Sequence, residues 1–363
     1  MNNTLQPKLR QRGRASVDFL AHVFHGTTGV RRGVQEELNT CFGDGAALPD
    51  DLDERHEAVT GVLSTEPGYR VQQTIGEWHS RQHGLIAMHA FEELKPGVTD
   101  LLARYDEGPS RLFADEDFTA PDYFDGVEIH RTRGGWDGHP YMGFVHGEIV
   151  HRLIVDATYP GGIFTQRRMV AGLAPKDSYG RILEMGCSTG HFTQALAETY
   201  PDAEIVGVDV SIRTLEHALR TGNACGYCWQ LYLRAAEDTG FDDESFDLVT
   251  SYILLHEMPA DAIRASFAEA YRVLKPGGDL LMSDVARYAH LNKVQEWQAD
   301  QLARFGGEPF WRESAGLDLV AALEDAGFEE VDGRAIGNQG YPYPYVVTAR
   351  KPGSEDVSPS TKA

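Results

Sequence analysis

Residues 182–190 constrain the fold of this chain more than any other part, because an apolar run there ends in an acid and a glycine-rich turn. A helical stretch follows over 191–199, and a second apolar run over 205–208 ends in Asp209. This order predicts a strand, a tight loop, a helix and a second strand with a terminal carboxylate. Glycines let a backbone pass close to a ligand, and a carboxylate at a strand tip can accept hydrogen bonds from a ribose. The segment therefore predicts a site for a nucleoside-containing cofactor at the carboxyl ends of parallel strands.

The spacing of the turn distinguishes between cofactors. The dinucleotide fingerprint requires G-x-G-x-x-G, whereas this turn reads Gly186-x-Ser188-x-Gly190 and is preceded by Glu184. The spacing disfavours an NAD-dependent oxidoreductase. The pattern acid-x-G-x-(G/S)-x-G resembles motif I of the class I S-adenosylmethionine (SAM) methyltransferases.

Three further segments resemble that family in its order and at its spacing. Residues 236–241 and 245–249 are similar to its adenine-side loop and fourth strand, and 272–282 to its next helix, turn and fifth strand. The resemblance covers residues 181–351. It implies SAM as cofactor and an α/β Rossmann-like fold, and the segment is similar to the small-molecule enzymes of the ubiquinone/menaquinone methyltransferase group.

The resemblance also implies roles for single residues around the methionyl and ribose parts of SAM. Gly186 and Gly190 are expected to let the backbone pass close to the methionyl part, and Asp209 to accept from the ribose hydroxyls. Glu184 is expected to order the loop and the ammonium group. Ser188 replaces the commonest middle glycine, so we expect αR or β backbone there.

The adenine loop departs from the family at one position. The family often has Asp just before the alanine of this loop, but here Ala235 precedes Ala236. The backbone of Ala236 is still expected to meet the adenine ring. Either Glu237 replaces the missing carboxylate, or the adenine amino group faces water.

Alternating strand and helix patterns over 176–351 predict a doubly wound parallel sheet. Seven strands are expected, and the resemblance implies that the last is antiparallel; they lie near 181–185, 204–209, 229–234, 247–252, 279–284, 329–336 and 344–350. We expect residues 1–14 to be a flexible arm and 352–363 a disordered tail. Residues 15–175 resemble no family and are expected to form a mostly helical domain for acceptor binding and oligomerisation.

Within that N-terminal domain, four helices are predicted before residue 103, the longest over 71–94 and ending at Lys95-Pro96 because the residue before proline avoids the α region. Residues 103–140 are expected to be loops with a short strand near 127–129. A further helix is predicted over 145–157.

The composition limits which acceptors and which cellular compartments are expected. The net charge is −22, and a field of that sign repels phosphate backbones, so a nucleic-acid substrate is not expected. No apolar run reaches the ~20 residues of a membrane span. Four cysteines do not make a disulfide framework, so a reduced, cytoplasmic protein is expected. A homodimer through the N-terminal helices is also expected.

The end of the fourth strand lacks the motifs of amino, cytosine-C5 and arginine methyltransferases, which favours a small-molecule acceptor methylated on O, N or C. His256 is the first candidate for a general base, because histidine titrates near neutral pH; alternatively it packs or caps a helix start. Tyr252 is expected to line the methyl-transfer channel. Asp284 is a second base candidate, or else a helix cap or ion-pair partner.

Aromatic residues in two segments are expected to bind the acceptor, which points to a planar or hydrophobic molecule. The segments are the insert 294–311 and the glycine-rich loop 134–141, and loops carry function disproportionately. The candidate residues are Trp136, His139, Tyr141, Trp297 and Trp311.

A metal site is not predicted. His146, Glu148 and His151 suggest one, but His146 points elsewhere on a helix, and nothing shows that His130, His139 or Asp137 converge on them. Two other functions stay open: a SAM-binding regulator without activity, and a SAM enzyme that couples methylation to rearrangement or cyclisation.

Overall fold

The structure, a computed structural model, describes residues 5–158, 161–337 and 341–353. Residues 1–4 of the predicted arm and 354–363 of the predicted tail lie outside this range. The described part contains one mixed sheet of eight strands with helices on both faces, and a mostly helical N-terminal region packed against it. The predicted fold class is thus confirmed.

Seven strands of the sheet match the predicted positions. They are β2 (Arg181–Met185), β3 (Glu204–Asp209), β4 (Gln230–Leu233), β5 (Phe246–Tyr252), β6 (Leu274–Asp284), β7 (Glu329–Ala335) and β8 (Tyr345–Arg350). The order across the sheet is β1-β4-β3-β2-β5-β6-β8-β7. Strand β8 runs antiparallel to both of its neighbours, as expected for the last strand. The topology brings the carboxyl ends of β2, β3 and β5 together at one edge.

The eighth strand comes from the N-terminal region and was not predicted. Strand β1 (Arg111–Phe113) pairs in parallel with β4 at the edge of the sheet. The Ser110 hydroxyl donates to the carbonyl of Tyr227 at 2.7 Å and accepts from the N–H of Trp229 at 3.1 Å, which fixes the register. The strand predicted near 127–129 is wrong, because Ile129–Arg131 form a 3-10 turn.

Four helices begin the N-terminal region, as predicted: α1 (Gln11–Gly26), α2 (Thr28–Phe42), α3 (Leu52–Leu63) and α4 (Pro67–Ala103). The predicted end of α4 at Lys95-Pro96 is wrong, because the helix continues past Pro96 to residue 103. A proline removes one backbone hydrogen bond, and packing compensates for it here, since Val98 and Leu102 beyond the proline are buried in the apolar core of this region.

The predicted arm is partly ordered. Leu5 is buried against the helical core and helix α1 already begins at Gln11. Burial of one leucine side chain contributes about 2 kcal/mol, which opposes fraying of the segment. The prediction of a flexible arm therefore fails for residues 5–14.

The segment predicted as a helix over 145–157 continues from the short helix α5 (Met142–Phe144) as a π-helix over Val145–Val155. The remaining α-helices among the described residues are α6 (Ile163–Ala171), α7 (His191–Thr199), α8 (Ile212–Cys225), α9 (Ala260–Val273), α10 (Lys293–Gln301), α11 (Trp311–Gly316) and α12 (Leu319–Asp325). Among the described residues no helix is both long and apolar enough to cross a bilayer.

Glycines let α5 and the π-helix pack closely on the sheet region. A side chain at Gly143 would overlap the carbonyl oxygen of Arg213 in α8, and one at Gly147 would lie 3.1 Å from both His217 and Thr189. Each face of the sheet has its own apolar core, and the N-terminal helices have a third. The close contact at Gly143 and Gly147 thus joins the N-terminal region to the turn after β2.

Candidate cofactor and acceptor site

The turn after β2 has left-handed backbone at three positions. The φ angles are 69° at Gly186, 46° at Ser188 and 82° at Gly190. The expectation of αR or β backbone at Ser188 is therefore wrong. The left-handed region costs a non-glycine residue about 1–2 kcal/mol, and here the N–H of Ser188 gains a hydrogen bond to Oδ2 of Asp209 at 2.8 Å.

Asp209 ends β3 and is held from three sides. Its Oδ1 accepts from the N–H of Ser211 at 2.9 Å and from the Thr214 hydroxyl at 3.2 Å. Ser211, and not Asp209, caps helix α8. Burial raises the pKa of Asp209 to about 6, although these hydrogen bonds oppose the rise. Each carboxylate oxygen has two lone pairs, so Asp209 can still accept from a ligand.

Glu184 lies under the turn, 1% exposed. Its Oε2 accepts from the Thr193 hydroxyl at 2.6 Å, which ties β2 to helix α7. Burial raises the pKa of Glu184 to about 8, while Thr193 and the Arg167 cation lower it. With a pKa of about 8 the carboxyl is mostly protonated at neutral pH. Its expected role in ordering the turn stays a prediction.

Ala236 and Glu237 follow β4 at the predicted adenine end. Ala236 lines the cavity described below, whereas Glu237 does not. The Tyr123 ring from the N-terminal region lies near Glu237 and Asp209, and burial together with these two carboxylates raises the pKa of its phenol. Tyr123 was not among the predicted site residues, although it belongs to a loop rich in Asp and aromatics.

One cavity, about 1170 Å³ including the part open to solvent, joins these residues to the N-terminal region. The turn after β2, Asp209 and Ala236 form one wall. The opposite wall is largely aromatic and imidazole in character and is contributed by Phe124, His130, Trp136, His146, His151, His191, Phe192 and Tyr252. The cavity thus has one wall from the Rossmann-like sheet and one largely from the segment for which the sequence predicted acceptor binding.

The glycine-rich loop 134–141 closes the cavity near Asp209. Asp137 Oδ1 accepts from the Ser211 hydroxyl at 2.8 Å and from the N–H of Arg213 at 3.2 Å, so this loop docks on the start of α8. Gly134 and Gly135 have positive φ angles that allow the tight turn. The docking places the Trp136 ring in the cavity wall, 4.1 Å from that of His146.

Three buried or half-buried histidines line the cavity behind Trp136. The rings of His146 and His151 are 4.1 Å apart, and those of His151 and His191 are 5.6 Å apart. Burial lowers the pKa of each, to about 3 for His146 and well below the usual range for the other two. Within the described residues, Nδ1 of His151 and both ring nitrogens of His191 have no hydrogen-bond partner. Neutral imidazoles with free nitrogens can bind a polar group of a ligand.

Tyr252 lies at the end of β5 and lines the cavity, as expected of a channel residue. Its ring stacks on Phe192 with centroids 5.0 Å apart, and its hydroxyl contacts Gln166. The guanidinium of Arg167 lies 4.7 Å from the ring centroid, and its Nε has no hydrogen-bond partner among the described residues. Arg167, which sequence reasoning missed, gives this wall a buried positive charge.

His256 and Asp284 do not line the cavity. Nδ1 of His256 is 3.0 Å from Oδ1 of Asp284, and its Nε2 is 3.4 Å from Oε1 of Glu257. Of these three residues, Glu257 lines the cavity. Burial lowers the pKa of His256, but the carboxylates of Asp284 and Glu257 outweigh this effect and raise the pKa well above its usual value. Because the His256 ring does not line the cavity, the structure does not support it as the base.

Only one of the five predicted acceptor residues, Trp136, lines the cavity. His139 and Tyr141 pack edge-on and tilted against Phe91. Trp297 packs on Tyr69 in a separate apolar cluster, and Trp311 packs on His256. The structure thus places four of the five residues predicted from the two segments outside the cavity.

Comparison with known proteins identifies the family. The methyltransferase domain family matches residues 182–278. An uncharacterised methyltransferase of Synechocystis sp. is 31% identical over 156 residues, 42% of this chain and 68% of that protein. The chain belongs to the SAM-dependent methyltransferases. The match to this family lies in the same segment as the turn, Asp209 and the strand ends described above.

Two further methyltransferases are similar to this chain in sequence. A ubiquinone/menaquinone biosynthesis C-methyltransferase of Desulfotalea psychrophila is 34% identical over 118 residues, 32% of this chain and 46% of that protein. A demethylmenaquinone methyltransferase of Roseiflexus castenholzii is 29% identical over 187 residues, 47% of this chain and 77% of that protein. The chain thus spans about half the length of the first of these relatives and three quarters of the second.

SAM is the cofactor of this methyltransferase family, and the residues present suit it. A side chain at Gly186 would lie 2.6 Å from Leu254, so only glycine keeps this edge of the cavity open without strain. Asp209 has lone pairs for the ribose, and Arg167 has a free Nε for the carboxylate.

Sequence reasoning missed several cavity residues of this methyltransferase. His191 follows the last glycine of the turn, and Glu257 follows His256, so both were adjacent to predicted residues. Arg167 lies in helix α6, and the only indication of a role for this helix in the sequence was its position just before the cofactor domain. His130 was considered only for a different metal site. Tertiary folding brings these separate segments together, and no local pattern encodes that.

Proposed function

We propose that this protein transfers the methyl group of SAM to an oxygen, nitrogen or carbon atom of a small aromatic or hydrophobic molecule. The observation that carries the proposal is that one cavity is lined both by the cofactor residues and by Trp136, His146 and His151. A regulator that only binds SAM needs no such second wall. S-adenosylhomocysteine (SAH) would be the second product.

Bound SAM would supply an activated methyl group on a sulfonium. Asp209, the backbone of the turn after β2 and Ala236 would bind its nucleoside part. Arg167 would hold its carboxylate, and Glu184 would order the turn through Thr193. The chain's contribution to rate is then alignment of the two reactants and exclusion of water.

The acceptor wall favours a planar, weakly polar molecule. Phe124, Trp136, Phe192 and Tyr252 offer ring faces and edges. The neutral imidazoles of His151 and His191 can each donate or accept one hydrogen bond and so orient a hydroxyl, amine or carbonyl. A net charge of −22 supports a small molecule over a nucleic acid.

The loop 134–141 would control water in this site. Asp137 ties it to α8, and Trp136 then covers the imidazole wall. Because acceptor and cofactor would share one enclosed space, the loop would shield the reacting groups from solvent.

Association and location remain proposals. Large apolar side chains are exposed on the N-terminal helices, among them Phe19 at 59%, Val71 at 44% and Leu85 at 44%. These side chains support a homodimer through that region. The absence of a disulfide framework supports the cytoplasm as the compartment.

The test is methyl transfer from labelled SAM to a panel of phenols, quinols, aromatic amines and 1,3-dicarbonyl compounds. We expect label in at least one planar acceptor, with equimolar SAH. Trp136→Ala should lower this transfer while SAH binding is kept. SAH binding without transfer to any acceptor class, and without a change in SAH binding on acceptor addition, would favour the regulator. Products that differ from the acceptor by more than a methyl group would favour coupled cyclisation.

A further inference from the structure

Four ligand-type side chains from three separate segments converge beside the cavity. They are His130 from the N-terminal region, His256 and Glu257 after β5, and Glu308 from the insert before α11. Their ligand atoms all lie within 4.8 Å of one another. His130 and Glu257 also line the cavity, so the cluster faces the space proposed for the acceptor.

Nε2 of His130 lies between two carboxylate oxygens. It is 3.0 Å from Oε1 of Glu257 and 2.9 Å from Oε1 of Glu308. An imidazole nitrogen carries at most one hydrogen, which can align with one oxygen or be shared at poor angles. Oε1 of Glu257 is in turn shared with Nε2 of His256 at 3.4 Å.

A metal ion would account for the same distances. First-row metals bind imidazole nitrogen and carboxylate oxygen at about 2.1 Å, so neighbouring ligand atoms lie about 3.0–3.4 Å apart in octahedral or tetrahedral sites. The three distances here are 2.9, 3.0 and 3.4 Å. A single central ion would give every one of these lone pairs a partner.

Unpartnered, buried carboxylate oxygens point to the same conclusion. Glu308 is 8% exposed, and its Oε2 has no hydrogen-bond partner among the described residues. Oε2 of Glu257 likewise has no hydrogen-bond partner among the described residues. A buried carboxylate oxygen without a partner costs about 1–3 kcal/mol or more, and a divalent cation bound by these two carboxylates would offset part of that cost.

The surroundings of the cluster hold it in place. Asp284 contacts Nδ1 of His256, which directs Nε2 toward the cluster, and such carboxylate–histidine pairs are typical around metal ligands. His130 has φ 52° and its N–H donates to the carbonyl of Gly307 at 2.8 Å, next to Glu308. Left-handed backbone at a non-glycine residue costs about 1–3 kcal/mol and is concentrated at functional sites.

From this geometry we infer that His130, His256, Glu257 and Glu308 bind a divalent first-row transition metal ion. Two imidazoles with two carboxylates are the ligand set of zinc, iron(II), cobalt(II) or manganese(II) rather than of magnesium or calcium, which take oxygen ligands. No such site was predicted from the sequence. Of the residues considered there, only His130 belongs to this cluster, whereas Glu148 contacts His217 and His139 lies 3.6 Å from Glu92.

The inferred site rests on the proposed function for its role. An ion held by Glu257 and His130 would present an open position to the cavity and bind an oxygen of the acceptor. A metal-bound hydroxyl loses its proton more readily, so the acceptor oxygen would become an oxyanion and its proton would pass to solvent. The acceptor class would then carry an oxygen at or beside the methylated atom.

The test measures metal content and not activity. The full-length protein is incubated with excess Co²⁺ or Zn²⁺, desalted and analysed for bound metal, and Co²⁺ binding is followed by visible absorption. We expect about one ion per wild-type chain. His130→Gln and Glu308→Gln should each weaken metal binding at least about tenfold, and Asp284→Asn by about 10–100-fold.

Two comparisons make the result decisive. His22→Gln removes an exposed histidine bonded only to its own helix, and it should bind metal like the wild type. SAH binding confirms that each variant is folded and tests the cofactor site separately. Wild type that binds SAH but retains no transition metal, or binds metal equally well after His130→Gln and Glu308→Gln, overturns the metal site and leaves the proposed function standing. Metal binding without SAH binding would instead contradict the proposed function.

Discussion

The backbone N–H of Ser188 donates a hydrogen bond to Oδ2 of Asp209 at 2.8 Å. This contact joins the glycine-containing turn after β2 to the carboxylate that ends β3. Oδ1 of the same carboxylate meanwhile accepts from Ser211 at the start of α8. One side chain therefore fixes a turn, a strand end and a helix start, and its charge state affects all three.

SAH binding should depend on pH through Asp209. Burial raises its pKa to about 6, and the ionised form accepts from ribose hydroxyls more strongly than the protonated form. Affinity should be constant above about pH 7 and fall by up to about tenfold per pH unit below pH 6. Calorimetric titrations from pH 5 to 8 measure this. Asp209→Asn should bind more weakly and with little pH dependence; a wild-type affinity that is flat over the same range would contradict the assignment.

Glu184→Gln should change the stability of the cofactor-free protein in a pH-dependent way. The pKa of Glu184 is raised to about 8 by burial, so the folded state holds its proton more tightly than the unfolded state does. The stabilising contribution is complete below the unfolded pKa, about 4.5, and is lost as pH rises through 8. The variant should therefore gain free energy of unfolding relative to wild type by about 1 kcal/mol per pH unit between pH 5 and 8. Urea unfolding at pH 5, 7 and 9 tests the trend, and a difference that does not vary with pH would refute it.

Gly143→Ala should destabilise the contact between the N-terminal region and α8. The added methyl group would overlap the carbonyl oxygen of Arg213, so backbone must move. We expect a loss of about 1–3 kcal/mol in the free energy of unfolding. Gly33→Ala in α2 is the matched control, because nothing lies within 4 Å of the added atom and alanine favours a helix by about 0.5–1 kcal/mol. Equal effects of the two substitutions would show that the close approach is not tight.

The sequence predicts that both Trp136 and Trp297 bind the acceptor, whereas the structure supports only Trp136. Trp136 lines the cavity, whereas Trp297 is buried against Tyr69 elsewhere. Trp136→Ala should lower kcat/KM for the acceptor at least about tenfold, which corresponds to about 1.4 kcal/mol. Trp297→Phe, which keeps an aromatic ring in its cluster, should leave kcat/KM unchanged. Steady-state kinetics with SAH affinity as the folding control decide between them.

The sheet could be predicted because its strands carry local signals. Each apolar run is short, ends in a turn signal and alternates with a helix, and that order allows few topologies. Strand β1 was not predicted, because the three residues Arg111–Phe113 are too few to show a periodicity. Helix α4 was cut short because the rule for proline is local, whereas burial of Val98 and Leu102 is tertiary.

The cofactor residues were predictable because they lie close to motifs along the chain. Glu184, Gly186, Gly190, Asp209 and Ala236 lie at the ends of consecutive strands, so a short series of motifs indicates them. His130 and Glu308, by contrast, are distant in sequence from each other and from the motif. The hydrogen bond between His130 and Gly307 holds the two side chains close together, and no pattern in the sequence predicts this bond.

Calorimetric titration of the protein with SAH, alongside Asp209→Ala and the exposed control Asp202→Ala, tests Asp209 as the ribose carboxylate. Membership of the SAM-dependent methyltransferases, with Asp209 as the ribose carboxylate, predicts micromolar binding by the wild type and by Asp202→Ala. Binding by Asp209→Ala should be at least about tenfold weaker, since a charge-assisted hydrogen bond contributes about 1.5–3 kcal/mol. Folded wild type that does not bind SAH, or equal binding after Asp209→Ala, would contradict the account.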